Sequence, residues 1–146
     1  MDIWHADAGG AYSGFDGGGG ADAGGGGGPG GGGGGAQTET RYLRGAQVTN
    51  AEGIVEFETI YPGWYPGRTV HIHAKVHLDA RTVLTTQLYF DDALSDQVFA
   101  ARPYSERGER DQRNASDGIF DADLVVTGQR DGDTVRAALN FDVRTA

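Results

Sequence analysis

From Val70 the chain alternates strictly, with Val70, Ile72, Ala74, Val76 and Leu78 on one side and His71, His73, Lys75 and His77 on the other. That is the period of a strand with one apolar face, and it sends His71 and His73 the same way with backbones about 6.6 Å apart. Residues 81–90, rich in β-branched and aromatic side chains, predict a second strand joined to the first through Asp79-Ala80. Asp91 stands where a cap is needed for a short helix ending at Phe99. Residues 42–48 and 54–60 flank the turn sequence Thr49-Asn50-Ala51-Glu52-Gly53 and predict a hairpin. Residues 119–129 and 134–143 predict another around Asp131-Gly132, and Asp2-Ile3-Trp4-His5-Ala6 has the apolar and aromatic character of the tail of a buried strand.

The connections are as informative as the strands. Tyr61-Pro62-Gly63-Trp64-Tyr65-Pro66-Gly67 is a loop punctuated by proline and glycine that leads into the histidine strand. Ala8-Gly9-Gly10-Ala11 is turn material, which puts Tyr12 at a loop edge. Residues 17–35 are nearly all glycine and lack the Gly-Lys-Ser/Thr ending of a phosphate-binding loop. They read as a flexible insert spanning roughly 25 Å as a coil. Residues 102–116 form a polar loop in which Asn114-Ala115-Ser116 matches a glycosylation acceptor in form alone. The sum is one domain over residues 1–146, all-β: a β-sandwich of about six strands with one short helix.

Composition narrows the chemistry. Of 146 residues, those in the glycine tract cannot build a core, which leaves about 125 for a small domain. A formal net charge of -9 with one lysine, Lys75, argues against nucleic acid and anionic membranes as partners. No apolar run approaches the ~20 residues of a membrane span. The opening MDIWHADAGG lacks the basic and apolar regions of a secretory signal, so the default expectation is the cytoplasm. Without cysteine, any metal must be held by His, Tyr, Asp or Glu.

Two histidines at i and i+2 of a strand can grip one metal ion, although on spacing alone a solvent-facing pair is the favoured reading. His77 lies about 13 Å further along and is expected at the surface, outside any shared site. Read alone, Tyr12 and Tyr65 are each more readily loop-edge packing than ligands. As ligands they need a cation that removes a phenol proton, whose ordinary pKa is near ~10. Ferric iron, Fe(3+), suits two phenolates and two neutral imidazoles, whereas zinc or copper more often recruits a carboxylate or a third histidine.

Three segments, WHADAGGAYSGF, TIYPGWYPGRTVHIH and LTTQLYF, together resemble the intradiol ring-cleavage dioxygenases, a family that includes catechol and protocatechuate dioxygenases. The likeness runs from Asp2 to Phe90 across the glycine tract. It implies that Tyr12, Tyr65, His71 and His73 bind ferric iron, that Arg68 borders the substrate and stabilises negative charge, and that Gln87 lines the same pocket. The implied reaction opens the ring of a small aromatic diol with O2, Tyr65 serving as both ligand and proton acceptor. Family members carry more chain before the WH segment, some of it in subunit contact. The resemblance therefore implies a domain without the family's N-terminal strands, and it leaves room for a homo-oligomer. Two other outcomes stay open at this level: a non-catalytic metal- or aromatic-binding sandwich, and a structural module derived from the family.

Overall fold

The alternating stretch becomes the central strand of the molecule. In the computed structural model, which describes residues 1–14 and 39–143 apart from the side chains of Thr82 and Val83, four strands form an antiparallel sheet. They are β1 (Asp2–Trp4), β2 (Arg44–Ala46), β3 (His71–Leu78) and β4 (Arg81–Tyr89), in the order β2-β1-β3-β4. A second, two-stranded antiparallel sheet pairs β5 (Thr127–Asp131) with β6 (Thr134–Ala138). One α-helix, α1 (Asp92–Phe99), follows β4. The fold is thus the expected small all-β sandwich with one short helix. The expected glycine insert at 17–35 lies outside the described residues.

Each element has a local cause. The turn between β3 and β4 places Asp79 and Ala80 at φ 49° and 61°, as a two-residue hairpin with both central residues left-handed demands. Helix α1 starts where the Asp91 side chain accepts hydrogen bonds from the backbone N–H groups of Ala93 (2.8 Å) and Leu94 (3.3 Å). Arg110 closes over the same first turn, 2.7 Å from Asp92 and 3.0 Å from Asp96.

Strand β3 divides two different interiors. Ile72 and Ala74, with Ile3 of β1 and Val70, pack against Phe90, Leu94 of α1 and Val126, with Val135 and Leu139 partly buried beside them. Each full burial of such a side chain contributes about 1.5–3 kcal/mol. The opposite face of β3 is buried too, in a second cluster of Trp4, Ala6, Tyr12 and Tyr65. Register fixes who meets there: β1 pairs Trp4 with His73, and β4 pairs Tyr89 with His71 and Gln87 with His73.

Two expected hairpins differ from the structure. Residues 42–48 do not pair with 54–60. Arg44–Ala46 instead pairs with β1, and residues 54–60 run outside any strand. The edge that β1 offers wins over a local partner because it adds three residues to an existing sheet, whereas an isolated two-stranded hairpin is marginal. The C-terminal hairpin is real but shorter than 119–143, since Val125 and Val126 are taken up by contacts with Tyr89. Among the described residues no helix is long and apolar enough to cross a membrane.

Candidate functional site

His71 and His73 are 2% and 6% exposed, so the solvent-facing reading of the pair fails. Cover comes from three sides. Trp4 lies flat on His73, with ring centroids 4.8 Å apart and planes 4° apart. Tyr12 and Tyr65 meet edge to face at 5.5 Å and turn their hydroxyls inward.

Three polar ends converge on one atom of the fourth residue, His71. Tyr65 Oη is 3.0 Å, Tyr12 Oη 3.4 Å and His73 Nε2 3.3 Å from His71 Nε2. His71 Nδ1–H donates to the Thr69 carbonyl at 2.7 Å, which leaves the Nε2 lone pair facing the cluster. One lone pair accepts one hydrogen bond well, so three groups crowding it are over-subscribed. A cation held among the four donors would turn the crowding into coordination. By donor type and spacing the residues fit a metal. Among the described residues there is no group of three or more His, Cys, Asp or Glu able to hold one, so tyrosine is what makes this set distinctive.

The electrostatics agree. Burial pushes the His73 imidazole down to about 2, with the neighbouring His71 ring and the Arg68 and Arg44 cations adding to it. Burial likewise pushes His71 down to about 4, with Arg68 adding and the Thr69 carbonyl opposing. Both rings are neutral at physiological pH, the form that binds metals.

The loops that bring the two tyrosines in are locked backbone to backbone. Gly63 N–H donates to the Asp7 carbonyl at 3.0 Å. A Cβ on Gly63 would stand 2.3 Å from that oxygen and 2.6 Å from the Ala8 oxygen, and one on Gly10 would stand 2.3 Å from the Trp64 oxygen. Arg107 then staples the pair. Its Nη1 donates to the Trp64 carbonyl at 2.6 Å and to Ala8 at 3.3 Å, while its guanidinium stacks 4.4 Å above the Trp64 ring. Gly14 N–H reaches Thr40 Oγ1 at 3.0 Å, and Arg44 Nε reaches Ser13 Oγ at 3.1 Å.

Arg68 borders the cluster with its fork held at two points. Nε donates to Asp117 Oδ2 at 3.0 Å and Nη2 to Gln87 Oε1 at 2.5 Å, and Tyr89 Oη also donates to that Gln87 oxygen at 3.0 Å. Asp117 Oδ2 additionally accepts the Thr69 N–H at 2.8 Å, and Oδ1 accepts Ile119 N–H at 2.9 Å. Burial alone would raise the Asp117 pKa, but these hydrogen bonds and the Arg68 charge outweigh it and hold the carboxyl below its ordinary value. Asn114 completes the wall, accepting from Thr69 Oγ1 at 2.6 Å and donating to the Phe90 carbonyl at 2.8 Å.

Every residue singled out from the sequence, Tyr12, Tyr65, Arg68, His71, His73 and Gln87, is therefore in one neighbourhood. Tyr61, from the same loop as Tyr65, is not. It packs on Phe90 and Phe99 and bonds Ser95 at 2.8 Å. His77 sits apart, as expected, half-exposed and 2.8 Å from Asp2. Sequence reasoning missed Trp4, Thr69, Asp117 and Arg107. Trp4 alone had a signal, since alternation in β1 turns it away from Ile3; which strand it would meet was not visible.

A β-sandwich carrying a buried, neutral two-histidine, two-tyrosine cluster beside a clamped arginine defines a narrow class of protein. No protein-family model matches the chain, and no curated protein does, but solved structures do. An intradiol ring-cleavage dioxygenase from Tetranychus urticae superposes with a TM-score of 0.78 at 29% identity, over 97% of this chain and 69% of that one. A crystal structure of another dioxygenase gives 0.80 at 31% identity, over 97% and 68%. The dioxygenase domain of a dioxygenase carbohydrate-binding protein fusion from the cellulolytic bacterium Streptomyces sp. SirexAA-E gives 0.63 at 33% identity, over 99% and 67%. The chain belongs to the intradiol ring-cleavage dioxygenase family.

Proposed function

We propose that this chain is a ferric-iron intradiol dioxygenase that opens catechol-type 1,2-dihydroxyaromatics with O2 to muconate-type diacids. The observation that carries the reading is the convergence of Tyr12 Oη, Tyr65 Oη and His73 Nε2 to within 3.0–3.4 Å of His71 Nε2. Tyr12, Tyr65, His71 and His73 would hold the iron. Two phenolates offset two of its three charges, and two neutral imidazoles add none. When bound, iron(III) supplies a Lewis-acidic centre for both oxygens of the diol and makes the ring reactive toward dioxygen.

The chain's own groups do the remaining work. Tyr65 Oη takes a proton from a substrate hydroxyl as the diol enters, a role that needs its phenolate form. Arg68, anchored by Asp117 and Gln87, presents a fixed positive charge to the negative charge that develops on the ring. Trp4 and the interlocked loops keep water away from the histidines. Both atoms of O2 enter the product, and the bond between the two hydroxylated carbons breaks.

Loading with iron(III) is expected to give a red-brown protein through phenolate-to-iron charge transfer, a band that shifts on adding catechol, and O2 uptake with muconate appearing. A colourless loaded protein would overturn the metal assignment. A coloured protein that consumes no O2 with any catechol would replace the enzyme by a non-catalytic metal-binding sandwich.

A further inference from the structure

We propose that Asp117 is the positioning residue of this site: its carboxylate fixes the Arg68 guanidinium and the Thr69 backbone together, so that charge partner and iron-binding imidazole keep one mutual geometry. The proposal rests on the dioxygenase reading above. The Asp117 side chain is 0% exposed, and both of its oxygens are used. Oδ2 bridges Arg68 Nε–H (3.0 Å) and Thr69 N–H (2.8 Å), and Oδ1 takes Ile119 N–H (2.9 Å). Thr69 passes the constraint on, because its carbonyl accepts His71 Nδ1–H at 2.7 Å and so sets both tautomer and ring direction. Its hydroxyl donates to Asn114 at 2.6 Å, a second tie on the same residue.

Arginine needs such a partner. Its stem has several free torsions, and its planar fork is useful only when its direction is fixed. Gln87 holds Nη2 but is itself pulled by Tyr89 Oη, so Asp117 is the charged anchor at the other end. A carboxylate placed only for stability could pair with any cation. This one pairs with the cation that faces the candidate iron ligands, and the oxygen it uses also carries Thr69. The amide of Asp117→Asn would turn an NH2 toward either the Arg68/Thr69 donors or Ile119 N–H, and one of these contacts must fail.

The test uses the full chain reconstituted with iron(III), catechol as the probe and O2 uptake as the rate. Asp117→Asn is expected to lower kcat by about 10- to 100-fold with KM changed less than about threefold, since a misdirected Arg68 affects the reacting state more than binding. In an Arg68→Ala background the same change is expected to cost several-fold less than in wild type, the remainder being the Thr69–His71 arm. In iron-free wild type the Arg68 Nε–H should exchange slowly with solvent, and in Asp117→Asn at the rate of an unconstrained arginine. A full kcat loss in the Arg68→Ala background, or unaltered kcat in the single variant, overturns the proposal. So does fast Nε–H exchange in wild type, a measurement that needs neither iron nor a folded variant. If wild type consumes no O2, the dioxygenase reading fails, and the exchange rate still decides the clamp by itself.

Discussion

Trp4 covers His73 as one flat surface on another, 4.8 Å between centroids and 4° between planes, because antiparallel register sets the two residues directly opposite. Removing the indole should therefore act on the site as well as on the fold. Trp4→Ala is expected to cost about 3–5 kcal/mol of stability and to speed iron release. Trp4→Phe should cost clearly less, since it leaves a smaller cavity and keeps an aromatic face on the imidazole. Urea midpoints and iron release to a chelator check both; equal effects of the two substitutions would mean that stacking contributes nothing.

Glycine at position 63 is expected to be obligatory. Gly63→Ala drives a methyl into the Asp7 and Ala8 carbonyls at 2.3 and 2.6 Å, an overpacking expected to cost about 3 kcal/mol or more. It should also push Tyr12 away from His71 and lower iron affinity. Gly118→Ala, with nothing within 4 Å of the added Cβ, should stay within about 0.5 kcal/mol of wild type. Urea denaturation of both variants, with iron titration of the first, decides the matter.

Tyr12→Phe removes a hydroxyl whose hydrogen bond to His71 is long, at 3.4 Å. Iron-free stability should therefore change by less than about 1 kcal/mol. The iron-loaded protein should lose a large part of its charge-transfer absorbance and bind iron more weakly. Unchanged colour would remove Tyr12 from the ligand set.

Acid should weaken the Arg68 clamp selectively. The folded Asp117 carboxyl is held below its ordinary value, so its stabilising contribution is full above the unfolded value of about 3.9 and is lost as pH falls through the lower folded value. The urea midpoint of wild type should exceed that of Asp117→Asn at pH 6, and the gap should close toward pH 3. A gap independent of pH would show that the carboxylate charge is not what stabilises the loop.

The unequal legibility of the molecule has physical causes. His71 and His73 could be read from a period of two because strand periodicity is local, and Asp91 could be read as a cap because capping is a matter of three residues. Residues 42–48 misled, since their β-forming side chains say nothing about which partner is available, and the edge offered by Asp2–Trp4 is remote in sequence. That Tyr12 and Tyr65 would meet came from resemblance alone; periodicity carries no information about loops. Asp117 was invisible for the same reason. It is one of many acidic residues in polar chain, distinguished by donors from Arg68 and Thr69 that only the fold delivers.

The lock between the Gly10 and Gly63 loops, together with the Gly14–Thr40 tie, anchors both ends of the connection that carries the glycine tract. Whatever joins Gly14 to Thr40 begins and ends at positions already fixed by their neighbours, so a change in its length is expected to leave the site unaltered. Trimming the tract by about fourteen residues shortens that connection a little more than twofold, so it should raise stability by less than about 1 kcal/mol and leave iron affinity unchanged, which denaturation and iron titration would register. By the same reasoning a fluorescent or affinity module could be spliced there without disturbing the imidazoles.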